Sequence, residues 1–411
     1  MPFNHIGETY ITKNAGVTAA TVDEAYEAIT NGRLFYLTPD RFTFRDAQTL
    51  YRELKVTYWE HHGDKVENYA DEKRLSYRMT AALKNLKVLL FHNTTGWVAL
   101  HGAPQLPKHQ QWNWREQYWP KDATEVSFTD VLAINSSFQQ WKNGIQYPGL
   151  KYKLHPHYNV YYPTQAGHIK LFRKWMQQYS SRKRFQSLNV ADIGCGCGIL
   201  AFLLGTFDAV KLVHATDINP AATESLRADQ IVRKRSVKTL EVFCGDLLEP
   251  LPLPQYDLIV FNAPWLPDIA GVDHSRGSFD MAVSFPPDLY PRFFEQAKER
   301  LTPDGRIVVI GSDLSRLLGL EKESPVTREL RDNPDRFYCA AMYQGEHAPG
   351  LLKKDSVVPE DKNKGPGDSK ASADTTYKAN KWKAIATRQQ KMQLWELEHE
   401  YPADIVNPEE Q

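Results

Sequence analysis

Residues 188–207 read LNVADIGCGCGILAFLLGTF, and this stretch decides the fold. A short apolar run, LNVADI, ends on an acid and enters a glycine loop, Gly194-Cys195-Gly196-Cys197-Gly198. GILAFLLGTF then reads as the helix that follows. Strand, glycine loop and helix in this order form the first unit of a parallel α/β sheet, whose ligands lie beyond the strand C-termini. Glycine lets the backbone turn tightly there and come close to a ligand. A dinucleotide loop of the GxGxxG type would carry its third glycine where Ile199 stands. Here the glycines alternate instead, behind Asp192.

The alternation of strand and helix continues outward. VKLVHATDI reads as a second strand. PAATESLRADQIVRKR reads as a helix, opened by Pro220 and ended by basic residues, as the helix dipole favours. LEVFCGD, YDLIVFNAP and GRIVVIGS read as three further strands, with LYPRFFEQAKERL as a helix before the last. Such a chain predicts a Rossmann-like doubly wound α/β sheet covered on both faces. Asp217 ends the second strand about 20 residues beyond the loop, where an acid can accept hydrogen bonds from ribose hydroxyls. It can equally cap the helix ahead of Pro220, a role open to Asn219 as well. Asp246 ends the third strand, as a ligand contact or as an ordinary turn acid. The fourth strand runs into Asn262-Ala263-Pro264-Trp265.

The acid, the alternating glycines and the strand-end acids resemble the class I S-adenosylmethionine-dependent methyltransferases. The NAPW stretch resembles the NPPY-type motif of the HemK-like, methyltransferase-small-domain group. Upstream, HYNVYYPTQ (157–165) ahead of GHIKLFRKWMQQY resembles the V-x-x-P-R/T element of the same group. The resemblance spans about residues 155–320. It implies S-adenosyl-L-methionine as cofactor, held by Tyr162, Pro163, Thr164, Asp192, Gly194, Cys195, Gly196, Gly198, Asp217, Ile218, Asp246, Leu247 and Asn262. Asp246 would contact the adenine amine. It implies Asn262, Pro264 and Trp265 as the catalytic set, without a metal. The reaction it implies is methyl transfer to a planar nitrogen, a protein glutamine amide or an exocyclic amine of a nucleic-acid base. Such a nitrogen is a poor nucleophile. The motif compensates by position: the Asn oxygen and a backbone carbonyl accept its N–H bonds while an aromatic ring stacks on its plane. Two departures stand out: Ala263 replaces the first proline and Trp265 replaces tyrosine. The acid that many relatives carry after Thr164 is missing. A binding module that keeps the cofactor without catalysis is the alternative, motivated by the altered motif. Ile199 disfavours nicotinamide redox chemistry.

The rest of the chain sets the context. A length of 411 residues favours two domains. The 50 basic and 50 acidic residues cancel, which argues against a sequence-independent nucleic-acid coat. Four cysteines, two of them in the glycine loop, suit a reducing compartment. No segment reads as a signal core or as a span of roughly 20 apolar residues, so the expectation is a cytoplasmic protein without a membrane partner. Paired histidines (His61-His62, His155 and His157) lack the spacing of a metal site. Residues 1–150 read as a mixed α/β domain for acceptor selection, with helices at Thr21–Thr30 and Asp46–Tyr58. A hairpin is expected around HNTTG, and an aromatic cluster at Trp112, Trp114, Tyr118, Trp119 and Trp141. The S-adenosylmethionine-dependent domain is expected over 151–349. Residues 350–376 are polar and rich in Gly, Pro and Ser, the composition of a flexible linker. Residues 377–411 are expected to form a helical extension, with a helix from about Tyr377 to Glu400. The oligomeric state is not written in the sequence.

Overall fold

A computed structural model describes residues 17–90, 98–104, 123–183, 187–232, 239–272, 282–346 and 390–399. The chain forms two compact units that divide between Phe138 and Gln139, upstream of the boundary expected near 150. The first holds α1 (Ala19–Thr30), α2 (Phe44–His62) and α3 (Tyr69–Leu83). With them is a sheet of β1 (Phe35–Leu37), β2 (Leu86–Leu89) and β3 (Glu125–Ser127) in that order. Thr43 and Asp46 start α2 with a reciprocal capping box. Its Ala47, Leu50, Leu54 and Tyr58 then recur at helical spacing and are buried. Leu90 and Val98 form an antiparallel bridge across the expected hairpin. Trp112, Trp114, Tyr118 and Trp119 lie outside the described residues. Helix α4 (Phe128–Asn143) contains the division between the units.

The second unit opens with the short pair β4 (Ile145–Gln146) and β5 (Lys153–Leu154). Helix α5 (Gly167–Arg182) and strand β6 (Leu188–Ile193) follow, then α6 (Ile199–Leu204), β7 (Val210–Asp217), α7 (Pro220–Val232) and β8 (Leu240–Cys244). Next come β9 (Tyr256–Asn262), the short β10 (Leu266–Pro267) and β11 (Ser284–Phe285), α8 (Leu289–Arg300) and β12 (Leu301–Ser312). Helices α9 (Leu314–Leu317) and α10 (Pro325–Asp332) lead to β13 (Tyr338–Glu346) and β14 (Lys391–Glu398). Seven strands make one sheet in the order β13-β14-β12-β9-β6-β7-β8. From β12 to β8 every neighbouring pair is parallel. Strand β14 runs antiparallel to both β12 and β13.

The sheet is doubly wound because its strands are apolar on both faces. Val190, Leu258, Val260, Val308 and Leu394 pack with α5, α6 and α7 on one side. Their chain neighbours Ala191, Ile259, Phe261, Val309 and Trp395 pack with Phe293, Phe294 and Ala297 of α8 on the other. Alternate residues thus feed opposite cores. Among the described residues no helix is long and apolar enough to cross a membrane.

The C-terminal helix expected up to Glu400 is corrected here: Lys391–Glu398 is a strand inside the central sheet. Its Met392, Leu394, Trp395 and Leu397 are buried. The apolar spacing around Trp395 fits either element. What selects the strand is pairing along both edges, from Ile307 opposite Leu397 to Tyr338 opposite Glu398. Trp382 and Ile385, and the linker at 350–376, lie outside the described residues. Trp175 Nε1 donates to Glu396 Oε2 at 2.9 Å, which satisfies a buried carboxylate in the strand.

A dispensable C-terminal tail would tolerate substitution, and a central strand does not. Leu394, fully buried, is expected to cost about 2–5 kcal/mol on Leu394→Ala. Urea denaturation followed by circular dichroism checks this; a loss below about 0.5 kcal/mol would contradict the placement of β14.

Candidate active site

Strands β6 and β9 are neighbours, yet the chain leaves them on opposite sides of the sheet: β6 is followed outward by β7 and β8, β9 by β12. Such a switch point leaves a crevice at the strand C-termini, where ligands of open α/β sheets bind. A cavity of about 840 Å³ opens there, within the size range of small-molecule sites.

The glycine loop forms one wall. Gly194, Gly196 and Gly198 all adopt left-handed φ values of 64°, 51° and 79°. Two of them are fixed by contact as well. A Cβ on Gly196 would stand 3.0 Å from the Tyr161 carbonyl, which also accepts the Cys197 N–H at 3.1 Å. A Cβ on Gly198 would fall 2.0 Å from Leu226 Cδ1 on α7. Gly198 therefore serves helix packing, and it does not line the cavity.

Asp217 ties this loop to the neighbouring strand. Its Oδ2 accepts the Gly196 N–H at 2.8 Å, and its Oδ1 accepts the Asn219 N–H at 2.8 Å. The helix-start role falls to Asn219, whose Oδ1 accepts the Ala221 N–H at 3.0 Å. Asn219 Nδ2 also donates to the Asn159 carbonyl at 2.8 Å. Burial raises the Asp217 carboxyl above the usual carboxylate range, against the two backbone donors. Asp192 is more extreme. It is 1% exposed, and burial pushes its carboxyl up to about 8, with the charge of Asp217 adding to the effect. Its Oδ2 has no hydrogen-bond partner among the described residues. Burial likewise raises the Cys195 thiol well above its usual range and pushes Cys197 up to about 12, so both stay protonated.

The third strand-end acid is held by a cation. Arg292 on α8 pairs with Asp246 and, through Nε at 2.7 Å, with Asp288. The next residue, Leu247, has a left-handed φ of 47°. The Thr216 hydroxyl donates to its carbonyl at 2.9 Å, and Gln296 Oε1 accepts the Leu248 N–H at 2.9 Å.

Across the cavity, β9 ends on Asn262. Its Oδ1 is buried and makes no hydrogen bond among the described residues. The Pro264 carbonyl accepts the Tyr290 hydroxyl at 3.3 Å. The Trp265 ring meets His168 of α5 edge-on, with centroids 5.3 Å apart and planes at 87°. Beyond it β10 pairs with β11, which carries the cavity wall onward to Ser284.

The cavity thus gathers Pro163, Asp192, Gly194, Cys195, Gly196, Asp217, Ile218, Asp246, Leu247, Asn262, Pro264 and Trp265 of the residues expected from sequence. Tyr162 and Thr164 are not on its wall. Tyr162 packs against the hydrophobic core, and Thr164 is exposed and does not cap α5, whose N-cap is Ala166. Residues not foreseen also line it, among them Asn159, Tyr161, Thr216, Asn219 and Arg292. Asp288, Arg292 and Gln296 recur every four residues on one helix, a spacing that could have flagged Arg292. Asn159 sits in the left-handed region at φ 60°, which sequence does not reveal.

Part of the chain matches known proteins. Residues 175–317 match the model of the methyltransferase small domain. A release factor glutamine methyltransferase from Moorella thermoacetica is 31% identical over 176 residues, 39% of this chain and 60% of that protein. A tRNA1(Val) (adenine(37)-N6)-methyltransferase from Pedobacter heparinus is 32% identical over 126 residues, 29% of this chain and 50% of its own length. The chain therefore spans only half to three-fifths of these two relatives. Among solved structures, a ribosomal protein L11 methylase from Lactobacillus delbrueckii subsp. bulgaricus aligns over 41% of this chain and 69% of its own, at 20% identity and a TM-score of 0.29.

The state of Asp192 predicts a pH effect on stability. In the unfolded chain an aspartate loses its proton near about pH 4; in the fold Asp192 keeps it to about 8. Between these values the folded state binds the extra proton, so this residue's contribution falls as pH rises. Asp192→Asn is expected to gain stability relative to the parent steadily from about pH 4 to about pH 8, and no further above. Urea midpoints at pH 5, 6.5 and 8 check it, and a difference that stays constant with pH would refute it.

Proposed function

From the match of residues 175–317 to the methyltransferase small domain, we propose that this chain transfers a methyl group from S-adenosyl-L-methionine to a planar nitrogen. The observation that carries the reading is Asn262. A buried amide oxygen without a partner, on a cavity wall beside Trp265, is an acceptor awaiting an N–H donor.

The donor half of the cavity fits the cofactor. Asp192 Oδ2 is an unpartnered buried acceptor suited to a cationic amino group. Asp217 uses one lone pair of each oxygen on backbone N–H groups and keeps capacity for ribose hydroxyls. Ile218, 52% exposed on the cavity rim, and Leu247 offer apolar faces to a purine. When bound, S-adenosyl-L-methionine supplies an electrophilic methyl group.

The protein's own residues do the rest by placement. Asn262 Oδ1 accepts an N–H of the acceptor and turns the nitrogen lone pair toward the donor half. The indole of Trp265 stacks on the planar group, and its edge contact with His168 limits how far the ring can swing. Ala263, also on the cavity wall, offers the second backbone acceptor for the substrate, while the Pro264 carbonyl already takes the Tyr290 hydroxyl. Positioning of this kind lowers a barrier by up to about 7–11 kcal/mol. The acceptor class follows the relatives: a protein glutamine amide or an adenine N6 amine in RNA. The unit before Gln139, outside the matched segment, is assigned to choosing between them.

Calorimetric titration with S-adenosyl-L-homocysteine tests the cofactor. Saturable binding is expected, weakened about tenfold or more in Asp217→Ala. Folded protein that does not bind at millimolar ligand would sink the proposal. The acceptor step is read from tritiated S-adenosyl-L-methionine in cell extract. Label is expected in a protease- or nuclease-sensitive fraction. Asn262→Ala is expected to abolish that label while binding S-adenosyl-L-homocysteine within a few-fold of the parent. Full labelling by Asn262→Ala would remove the residue from the mechanism.

A further inference from the structure

Asp246 does not face the cavity as an isolated carboxylate. Arg292 binds its Oδ2, and Asp288, one helical turn away, fixes the other side of the same guanidinium. Among the described residues Oδ1 makes no hydrogen bond, and both Asp246 and Arg292 line the cavity. The backbone that carries Asp246 is held with equal care. Leu247 sits at a left-handed φ of 47°, braced by the Thr216 hydroxyl, and Leu248 is held by Gln296 of the same helix as Arg292. A guanidinium is a rigid planar donor that fixes a carboxylate's orientation as well as its charge.

We propose that Arg292 is a positioning residue that sets the nucleobase specificity of the cofactor site through Asp246. By holding Oδ2, it presents Oδ1 as a fixed acceptor. Such a group accepts from an exocyclic amine and repels a carbonyl oxygen at the same place on the ring. The site therefore reads the six-position of a purine, amine against oxygen. A site built around one hydrogen bond rejects the analogue that cannot make it, because its own polar group is left unpaired. The proposal rests on the cofactor reading above.

The test compares two probes by calorimetry on the full chain: S-adenosyl-L-homocysteine, and S-inosyl-L-homocysteine, which carries a carbonyl oxygen in place of the amine. The parent is expected to prefer the adenosyl compound by about tenfold or more. Arg292→Met should bring the two affinities within about threefold of each other. Arg292→Lys, which keeps the charge without the planar fork, should fall between. Arg292 is 37% exposed, so these variants are expected to fold, and thermal melts check it. A merely structural defect would weaken both probes alike. An unchanged ratio in Arg292→Met, or a parent without preference, overturns the proposal. A parent that binds neither probe overturns the cofactor reading itself, a separate outcome.

Discussion

One carboxylate holds the cavity in shape. Asp217 Oδ2 accepts the N–H of Gly196, so the loop after β6 is fixed against the end of β7. That contact exists because β6 and β7 pair in parallel register, with Asp192 opposite Ala215 and Ile193 opposite Thr216. A slip of one residue would turn Asp217 to the other face of the sheet. The second oxygen takes the Asn219 N–H, which places the Asn219 side chain to start α7 and to hold the Asn159 carbonyl. Loop, strand end, helix start and the 159–163 segment therefore converge on the Asp217 and Asn219 side chains.

The three strand-end acids have three different environments, and the differences sort their roles. Asp192 is buried with one oxygen unpartnered, which burial makes costly to ionise. Asp217 is buried but supported by backbone donors. Asp246 is half-exposed and paired with Arg292. A cationic ligand group would relieve Asp192 most, because its Oδ2 makes no hydrogen bond among the described residues. Hydroxyl donors suit Asp217, whose oxygens are already ordered. An amine suits Asp246 Oδ1, which makes no hydrogen bond among the described residues.

Much of this was legible in local sequence. LNVADI, VKLVHATDI, LEVFC and YDLIVFN are strands because their apolar runs are short, branched and bounded by turns. The glycine loop and Asn262 announce themselves by residue type and place. What escaped was set by distant partners. The apolar spacing of β14 fits a helix or a strand in isolation, and pairing with β12 and β13 selects the strand. Gly198 reads as part of a ligand loop, yet its constraint comes from Leu226, a packing contact made on folding. Tyr162, Pro163 and Thr164 were expected at the cavity from a motif; Pro163 faces it, joined by Tyr161 in place of the other two. In an irregular segment neighbouring side chains need not alternate, so sequence position does not fix which of them points inward.

Helix α8 touches both halves of the cavity. Phe293, Phe294 and Ala297 are fully buried against the sheet and fix the helix axis. From that anchor Tyr290 reaches the Pro264 carbonyl on the acceptor side, while Arg292 and Gln296 reach the 246–248 turn on the donor side. Residues four apart on a helix share a face, so Asp288, Arg292 and Gln296 form one row toward that turn. A shift of the helix along its axis would strain both sets of contacts together. The distance between the 246–248 turn and the Pro264 end of the cavity is therefore set by the core packing of one helix, whose hydrophobic face the sequence already displays.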